Sequence, residues 1–293
     1  MTRVDVVIIS LTQKPCKFAV FISRYAMSAS PAFYADLFSL RDRLVLLTGG
    51  YGHLGRAIAA ALAGHGATVV VIGRRAEAFE QAFGGSAADD NIHFVAGDVA
   101  DTASVQAALR AVRKQFGLPA VLINNATYGA GSQPEALTDA EFARTLDGAL
   151  GSAYRCIREI LPYLRERQGG KIINVASMYG LVAPDFSVYE TAPQFTNPPH
   201  YGAAKAALIQ LTKYFASYLG PENIQVNCVT PGAFPSASVQ QHPAFMQELT
   251  QRIPLGSIGR PEDLAGAFVY LSSRAADFVT GHNLVVDGGW TIR

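Results

Sequence analysis

Cysteine is scarce in this chain. Cys16, Cys156 and Cys228 are the only three among 293 residues, widely separated and without a Cys-x-x-Cys pair. An odd, sparse count argues against a disulfide scaffold and leads us to expect a reducing, cytoplasmic setting. The six histidines form no His-Glu-x-x-His run and no His/Cys ligand spacing, so no metal is expected. Charge is thin as well. Only 16% of residues are charged, and 24 basic against 23 acidic side chains leave a net charge of +1. With no basic cluster, nucleic acid is not an expected partner. The hydrophobic fraction is 49%, which excludes global disorder and supplies apolar material for a sizeable core.

Long apolar runs are also missing. The runs at 6–9 and 18–22 are split by Lys14-Pro15-Cys16-Lys17, so nothing there approaches the ~18 apolar residues of a membrane span, and no membrane partner is expected. The same break spoils a secretory signal core. Met27 precedes Ser28-Ala29-Ser30-Pro31, a composition common at flexible termini. Residues 1–38 therefore read as an N-terminal extension, with 1–26 a non-native start or a loosely packed arm, ahead of a domain over 39–293.

What the chain does have is rhythm. Apolar runs at 44–47, 68–72, 92–96, 120–123, 171–175, 225–229 and 283–286 read as short buried strands. Helical patterns near 53–64, 76–83, 102–116, 138–167, 203–219 and 261–273 fall between them. This alternation predicts an α/β fold, a doubly wound parallel seven-stranded sheet of Rossmann type in a single domain. Two stretches interrupt it: 184–199, with four prolines, and 231–254, rich in Pro, Ser and Gln. Both follow the C-terminal ends of strands, where such a sheet binds ligands, so both are expected to be functional loops.

The first strand runs into Thr48-Gly49-Gly50-Tyr51-Gly52-His53-Leu54-Gly55 and then a helix. Glycines permit the tight turn and close approach to a pyrophosphate, and the helix start offers free N–H groups.

Together with Asp98-Val99, Asn124-Asn125-Ala126, Ser177, Tyr201-Gly202-Ala203-Ala204-Lys205, Pro231-Gly232 and Asp287-Gly288-Gly289, this turn makes residues 40–292 resemble a short-chain dehydrogenase/reductase. The resemblance implies a nicotinamide cofactor and interconversion of a carbonyl with a secondary alcohol on a small-molecule substrate. It assigns cofactor contacts to Gly49, Tyr51, Gly52, His53, Leu54 and Gly55, and places Asp98 and Val99 at the adenine. Asn125 and Ala126 would border the adenosine ribose, with Pro231, Gly232, Ser236, Tyr201 and Lys205 completing the set. An acidic residue at the end of the second strand would hold the ribose hydroxyls, but here Gly73-Arg74-Arg75 stands there. Two guanidinium groups without a carboxylate favour a 2′-phosphate, hence NADP(H), with NAD as the lesser option.

The resemblance makes Ser177, Tyr201 and Lys205 the catalytic group. Tyr201 and Lys205 share a helix face at i, i+4 spacing, and a nearby ammonium is expected to lower the phenol pKa. Tyr201 would then exchange a proton with the substrate oxygen while Ser177 orients it. Three departures qualify the likeness. Ala149 stands where many relatives carry Asn; the glycine pattern is TGxxGxxG, with His53 at a usual glycine; and Ser177 and Tyr201 lie 24 residues apart (201 − 177). This mixture more loosely resembles dehydrogenases of bacterial surface-sugar pathways, such as those making nonulosonic acids for flagellin. It points to a sugar substrate walled by Phe186, Tyr189 and Phe195, with Asp185, Glu190, Thr191 and Asn197 as hydrogen-bond partners. A 3-oxoacyl thioester reductase and a non-catalytic nucleotide-sensing protein are the competing expectations. His53 is expected to fill the space of the missing glycine and His200 to be a surface group. Trp290, with apolar faces carrying Leu146, Leu150, Ile157, Leu161, Leu208, Leu211 and Phe215, is expected to build a homodimer or homotetramer.

Overall fold

Strand residues alternate between two apolar faces, and each face has its own helices. The computed structural model describes residues 33–34, 36–84, 91–129 and 133–293. The chain divides into two units, Met1–Asp36 and Leu37–Arg293, and the fold belongs to the second. The expectations for residues 1–26 lie outside the described residues. Seven strands form one sheet: β1 (Leu44–Thr48), β2 (Thr68–Gly73), β3 (Ile92–Ala96), β4 (Val121–Asn124), β5 (Gly170–Val175), β6 (Ile224–Pro231) and β7 (Asn283–Val286). All six pairings are parallel, in the order β3-β2-β1-β4-β5-β6-β7. The predicted doubly wound sheet is therefore present, with its order reversing between β1 and β4, where a crevice opens at the strand C-termini.

Period-2 alternation divides the core. Val45 and Leu47 face α1 (His53–Gly64) and the C-terminal helix through Ile58, Leu62 and Phe268. Leu44 and Leu46 face the other side with Ile157, Ile160 and Leu164. Between β2 and β4 run α2 (Ala76–Phe83) and α3 (Thr102–Gln115), the latter capped by Asp101, whose carboxylate accepts from the Ala103 and Ser104 N–H groups.

The helical pattern expected at 138–167 is present as an unbroken run over 139–166, with a π turn (Asp147–Gly151) between α4 (Asp139–Leu146) and α5 (Ser152–Glu166). Gly148 is the cause. A Cβ there would collide with the Tyr128 carbonyl oxygen and lie 2.6 Å from its carbon. The chain widens to admit that carbonyl, and Asp147 holds the turn by bonds from Tyr128 and Arg155. Ala149 sits buried inside this turn.

Helix α6 (Pro199–Leu219) starts four residues before the expected 203, with Pro199 at its first position. Composition hid α7 (Pro243–Arg252), which buries only Phe245 and Leu249 at i, i+4. The last helix is α8 (Pro261–Ser272).

Ile157, Leu161, Leu208 and Phe215 are buried in the protomer's own core, and Leu146, Leu150 and Leu211 are half-buried. Phe142, Tyr154, Tyr214 and Tyr218 are the large apolar side chains that these helices leave exposed. Trp290 is 8% exposed and packs in a cluster with Ile253 and Phe245. One expectation about the surface is corrected. His200 is fully buried and stacks on Phe142, because α6 turns it inward.

Candidate active site

The glycine turn after β1 is held from below by β4. Buried Thr48 accepts from the Asn125 and Ala126 N–H groups at 3.0 Å each, and Asn125 Nδ2 donates to the carbonyls of Thr48 and Gly49 at 3.0 Å. Asn125 thus lines the cleft while its amide nitrogen holds the turn. Gly49 has φ +66°, and a Cβ there would lie 3.0 Å from the Ala126 Cα, a placement only glycine takes without strain. At Gly52, the N-cap of α1, no side chain caps the helix, and its first turn carries no acidic residue. Its N–H groups and dipole are left for an anion.

A cleft of about 480 Å³ runs over this turn. Gly49, Tyr51, Gly52, His53, Leu54, Gly55, Arg74, Arg75, Asp98, Val99, Asn125, Ala126, Tyr201, Lys205, Pro231 and Gly232 all line it, as does Ser177. Among the expected cofactor contacts Ser236 does not; its hydroxyl pairs with Ser238 at 3.0 Å on the loop beyond. His53 is exposed at the cleft and fills no void, because helix α1 begins there and turns its side chain outward. Tyr128 and Phe234 also line the cleft without having been singled out, since neither belongs to a motif.

The end of β2 is shaped by Tyr51. Its hydroxyl accepts from the Arg74 N–H at 3.2 Å, and the Arg75 guanidinium lies 5.9 Å from its ring centroid. A Cβ at Gly73 would enter the ring edge, 2.8 Å from the Tyr51 Oη. Tyr51 therefore occupies the room that a side chain at position 73 would need. The Arg74 side chain is 64% exposed and only 4.0 Å from the Asp98 carboxylate, so its guanidinium remains available to an anion.

Two glycines bring the reacting groups together. Past β5, Ser177 caps a short turn by accepting from the Tyr179 N–H at 3.3 Å. A Cβ at Gly180 would lie 2.8 Å from the Lys205 backbone, and one at Gly202 2.7 Å from the Tyr179 carbonyl oxygen. Their absence lets the turn lie directly on α6. The Ser177 hydroxyl and the half-buried Tyr201 phenol line the same cleft. Lys205 is buried, donates to the Val175 carbonyl at 2.7 Å and stands 5.8 Å from the Tyr201 ring centroid. Burial pushes its ammonium down to about 8. The expected lowering of the tyrosine is not found: burial pushes Tyr201 up, opposed by the Ser177 hydroxyl. The ammonium points to the end of β5 instead of the phenol.

A second cavity, about 260 Å³, opens on the far side of Ser177 and Tyr201. Here the two irregular stretches meet. The 184–199 stretch folds into two short turns, Phe186–Tyr189 and Pro193–Phe195, and packs on α7 through Tyr189 and Phe195 against Phe245, at 5.7 and 5.1 Å between ring centroids. Arg252 of α7 clamps it by bonds to Asp185 (2.7 Å) and Ser187 (2.6 Å). Asp185, held down to about 2 by Ser187 and Arg252, is a strut and does not face the cavity. Of the proposed hydrogen-bond partners only Asn197 lines it; Thr191 is exposed and lines neither opening, Phe186 and Glu190 border a separate surface cleft, and Phe186 is 58% exposed. Tyr189 lines both. No charged side chain lines the inner cavity among the described residues.

A family profile described as enoyl-(acyl carrier protein) reductase matches residues 52–291. The chain is similar to cyclohexanol dehydrogenase of Rhodococcus sp., with 33% identity across 87% of this chain and 98% of the relative. In structure it is similar to a gluconate 5-dehydrogenase from Burkholderia cenocepacia in complex with NADP and tartrate (TM-score 0.77, 28% identity, 89% of this chain and 99% of that one). It is also similar to the Pseudomonas aeruginosa RhlG/NADP complex (TM-score 0.79, 29% identity, 87% and 98% covered).

Proposed function

The chain belongs to the short-chain dehydrogenase/reductase superfamily and is an oxidoreductase acting on CH–OH groups, and from that premise we propose an NADP(H)-dependent enzyme for small, uncharged ketones and secondary alcohols. The observation that carries this reading is that Ser177 and Tyr201 line both the glycine-turn cleft and the uncharged cavity. A substrate oxygen in that cavity meets two hydroxyls at the border of a nucleotide site.

The residues fit a dinucleotide: an uncapped helix start for the pyrophosphate, and Arg74 with Arg75 beside a side-chain-free Gly73 for a 2′-phosphate. When bound, the nicotinamide supplies or accepts the hydride. The chain's own residues handle the oxygen and its proton. Ser177 orients the oxygen. In reduction the Tyr201 phenol, kept protonated by burial, gives its proton to the carbonyl oxygen, and in oxidation it takes the proton back. Lys205 anchors the end of β5 through Val175 and offers a buried positive charge below Tyr201.

The sugar expectation narrows under this reading. Sugar acids and nucleotide-activated sugars of surface pathways carry anions, and burying an unpaired anion is costly. The cavity's lining offers them no cation, which leaves neutral polyols, ketoses and cyclic alcohols. The test is a panel with both cofactors: cyclohexanone and a neutral ketose against 5-ketogluconate and an acetoacetyl thioester. The neutral ketones should exceed both others in kcat/KM by about tenfold or more, about 1.4 kcal/mol. Turnover confined to the acid or the thioester, or no turnover of any compound, overturns the reading.

A further inference from the structure

Tyr179 and Tyr189 face each other at the wall of the inner cavity. Their hydroxyl oxygens are 2.5 Å apart, and both side chains are buried, 8% and 4% exposed. Asn197 Nδ2 donates to the Tyr189 hydroxyl at 3.1 Å. The two phenols carry two protons, and the bond between them uses one. Whichever phenol donates, the other keeps a proton for which the described residues supply no acceptor. If Tyr189 takes the Tyr179 proton as well as the Asn197 N–H, its two lone pairs are filled and it acts only as a donor. Both phenols line the same cavity as Ser177 and Tyr201, so the leftover proton is offered there. A buried donor left without an acceptor is costly, and a ligand oxygen relieves that cost.

We propose that the Tyr179–Tyr189 pair presents one hydrogen-bond donor to the substrate cavity and selects neutral alcohols and ketones that carry a second oxygen near the reacting carbon. The inference rests on the oxidoreductase reading above and adds a substrate class to it, vicinal diols and hydroxyketones. Burial and the neighbouring Tyr189 raise the Tyr179 pKa well above that of a free phenol, so Tyr179 stays protonated and neutral throughout a normal assay range. A neutral O–H donates to a hydroxyl or carbonyl oxygen without demanding an anion. The rest of the cavity is largely apolar (Met178, Phe195, Phe234, Val239, Phe245 and Leu249), which suits a compact carbon body bearing two oxygens at one end.

The experiment compares oxidation of cyclohexane-1,2-diol and cyclohexanol by the full chain with NADP⁺, in the wild type, Tyr189→Phe and Tyr179→Phe/Tyr189→Phe. Wild type should prefer the diol by about tenfold or more in kcat/KM. In the double variant the ratio should fall toward one, mainly through a raised KM for the diol, whereas Tyr189→Phe leaves the Tyr179 proton without its partner and should keep the preference. The NADPH dissociation constant should stay within about twofold, because neither phenol lines the nucleotide cleft. If the double variant loses NADPH binding, the Tyr179→Phe/Tyr189→Leu pair replaces it. Equal turnover of diol and alcohol by the wild type, or a preference that survives in the folded double variant, overturns the proposal and leaves the oxidoreductase reading standing. Failure to oxidise either alcohol with either cofactor overturns both.

Discussion

At the scale of single residues, the most telling contact is between Tyr51 and Gly73. A carboxylate at the end of β2 would hold both ribose hydroxyls, and placing one at Gly73 is the obvious route toward NAD. Here that route is blocked, because a side chain at position 73 runs into the Tyr51 ring. Gly73→Asp alone should cost about 1–3 kcal/mol of overpacking, lowering Tm by about 3–10 °C, with no gain in NADH affinity. Tyr51→Ser/Gly73→Asp should recover the stability and bind NADH more tightly than NADPH. Thermal melts with dissociation constants for both cofactors check this; wild-type stability and tight NADH binding in the single variant would contradict it. The sequence displayed the arginines and the missing carboxylate, but not the ring. Tyr51 and Gly73 lie in different motifs, and only packing shows that one excludes a side chain on the other. The titration of Tyr201 was illegible for a similar reason. Its spacing to Lys205 is visible, but the direction of the ammonium depends on the Val175 carbonyl.

At the scale of elements, regular pieces were readable because their apolar periods are long and clean. All seven strands fall where alternation and turn residues put them, and α1 begins at the glycine turn. Elements decided by a single close approach were not. The π turn looks like ordinary helix in sequence, yet Gly148 has no room for a methyl group against Tyr128. Gly148→Ala should therefore lower Tm by about 3–10 °C, from about 1–3 kcal/mol of forced displacement. Gly64→Ala, at the end of α1 with nothing within 4 Å of the new carbon, should leave Tm unchanged or raise it. Equal shifts for the two, read by calorimetry, would contradict the assignment of the turn to that contact. Helix α7 was hidden for a different reason: its one buried stripe is two residues deep, and its purpose is to hold the 184–199 stretch through Arg252 and Phe245.

At the scale of the whole molecule, the strand order explains why the chemistry sits where it does. Reversal between β1 and β4 opens the cleft at the strand ends, and β5 delivers Ser177 to its edge. The sequence predicted this architecture, since alternation of strand and helix leaves few topologies. It did not reveal that the two irregular stretches wall one cavity together, because their contact is tertiary and joins residues such as Asp185 and Arg252. Nor did it reveal that Asp185, expected to bind substrate, is a strut held by Arg252. The central claim is that Tyr201 moves the proton at the border between cleft and cavity. Its most direct test is Tyr201→Phe, assayed with a neutral ketone and NADPH alongside the NADPH dissociation constant. The ring and its packing remain while the transferable proton is removed. The account predicts turnover reduced by about 10²–10⁴ with cofactor affinity held within about twofold; full turnover in the variant would contradict it.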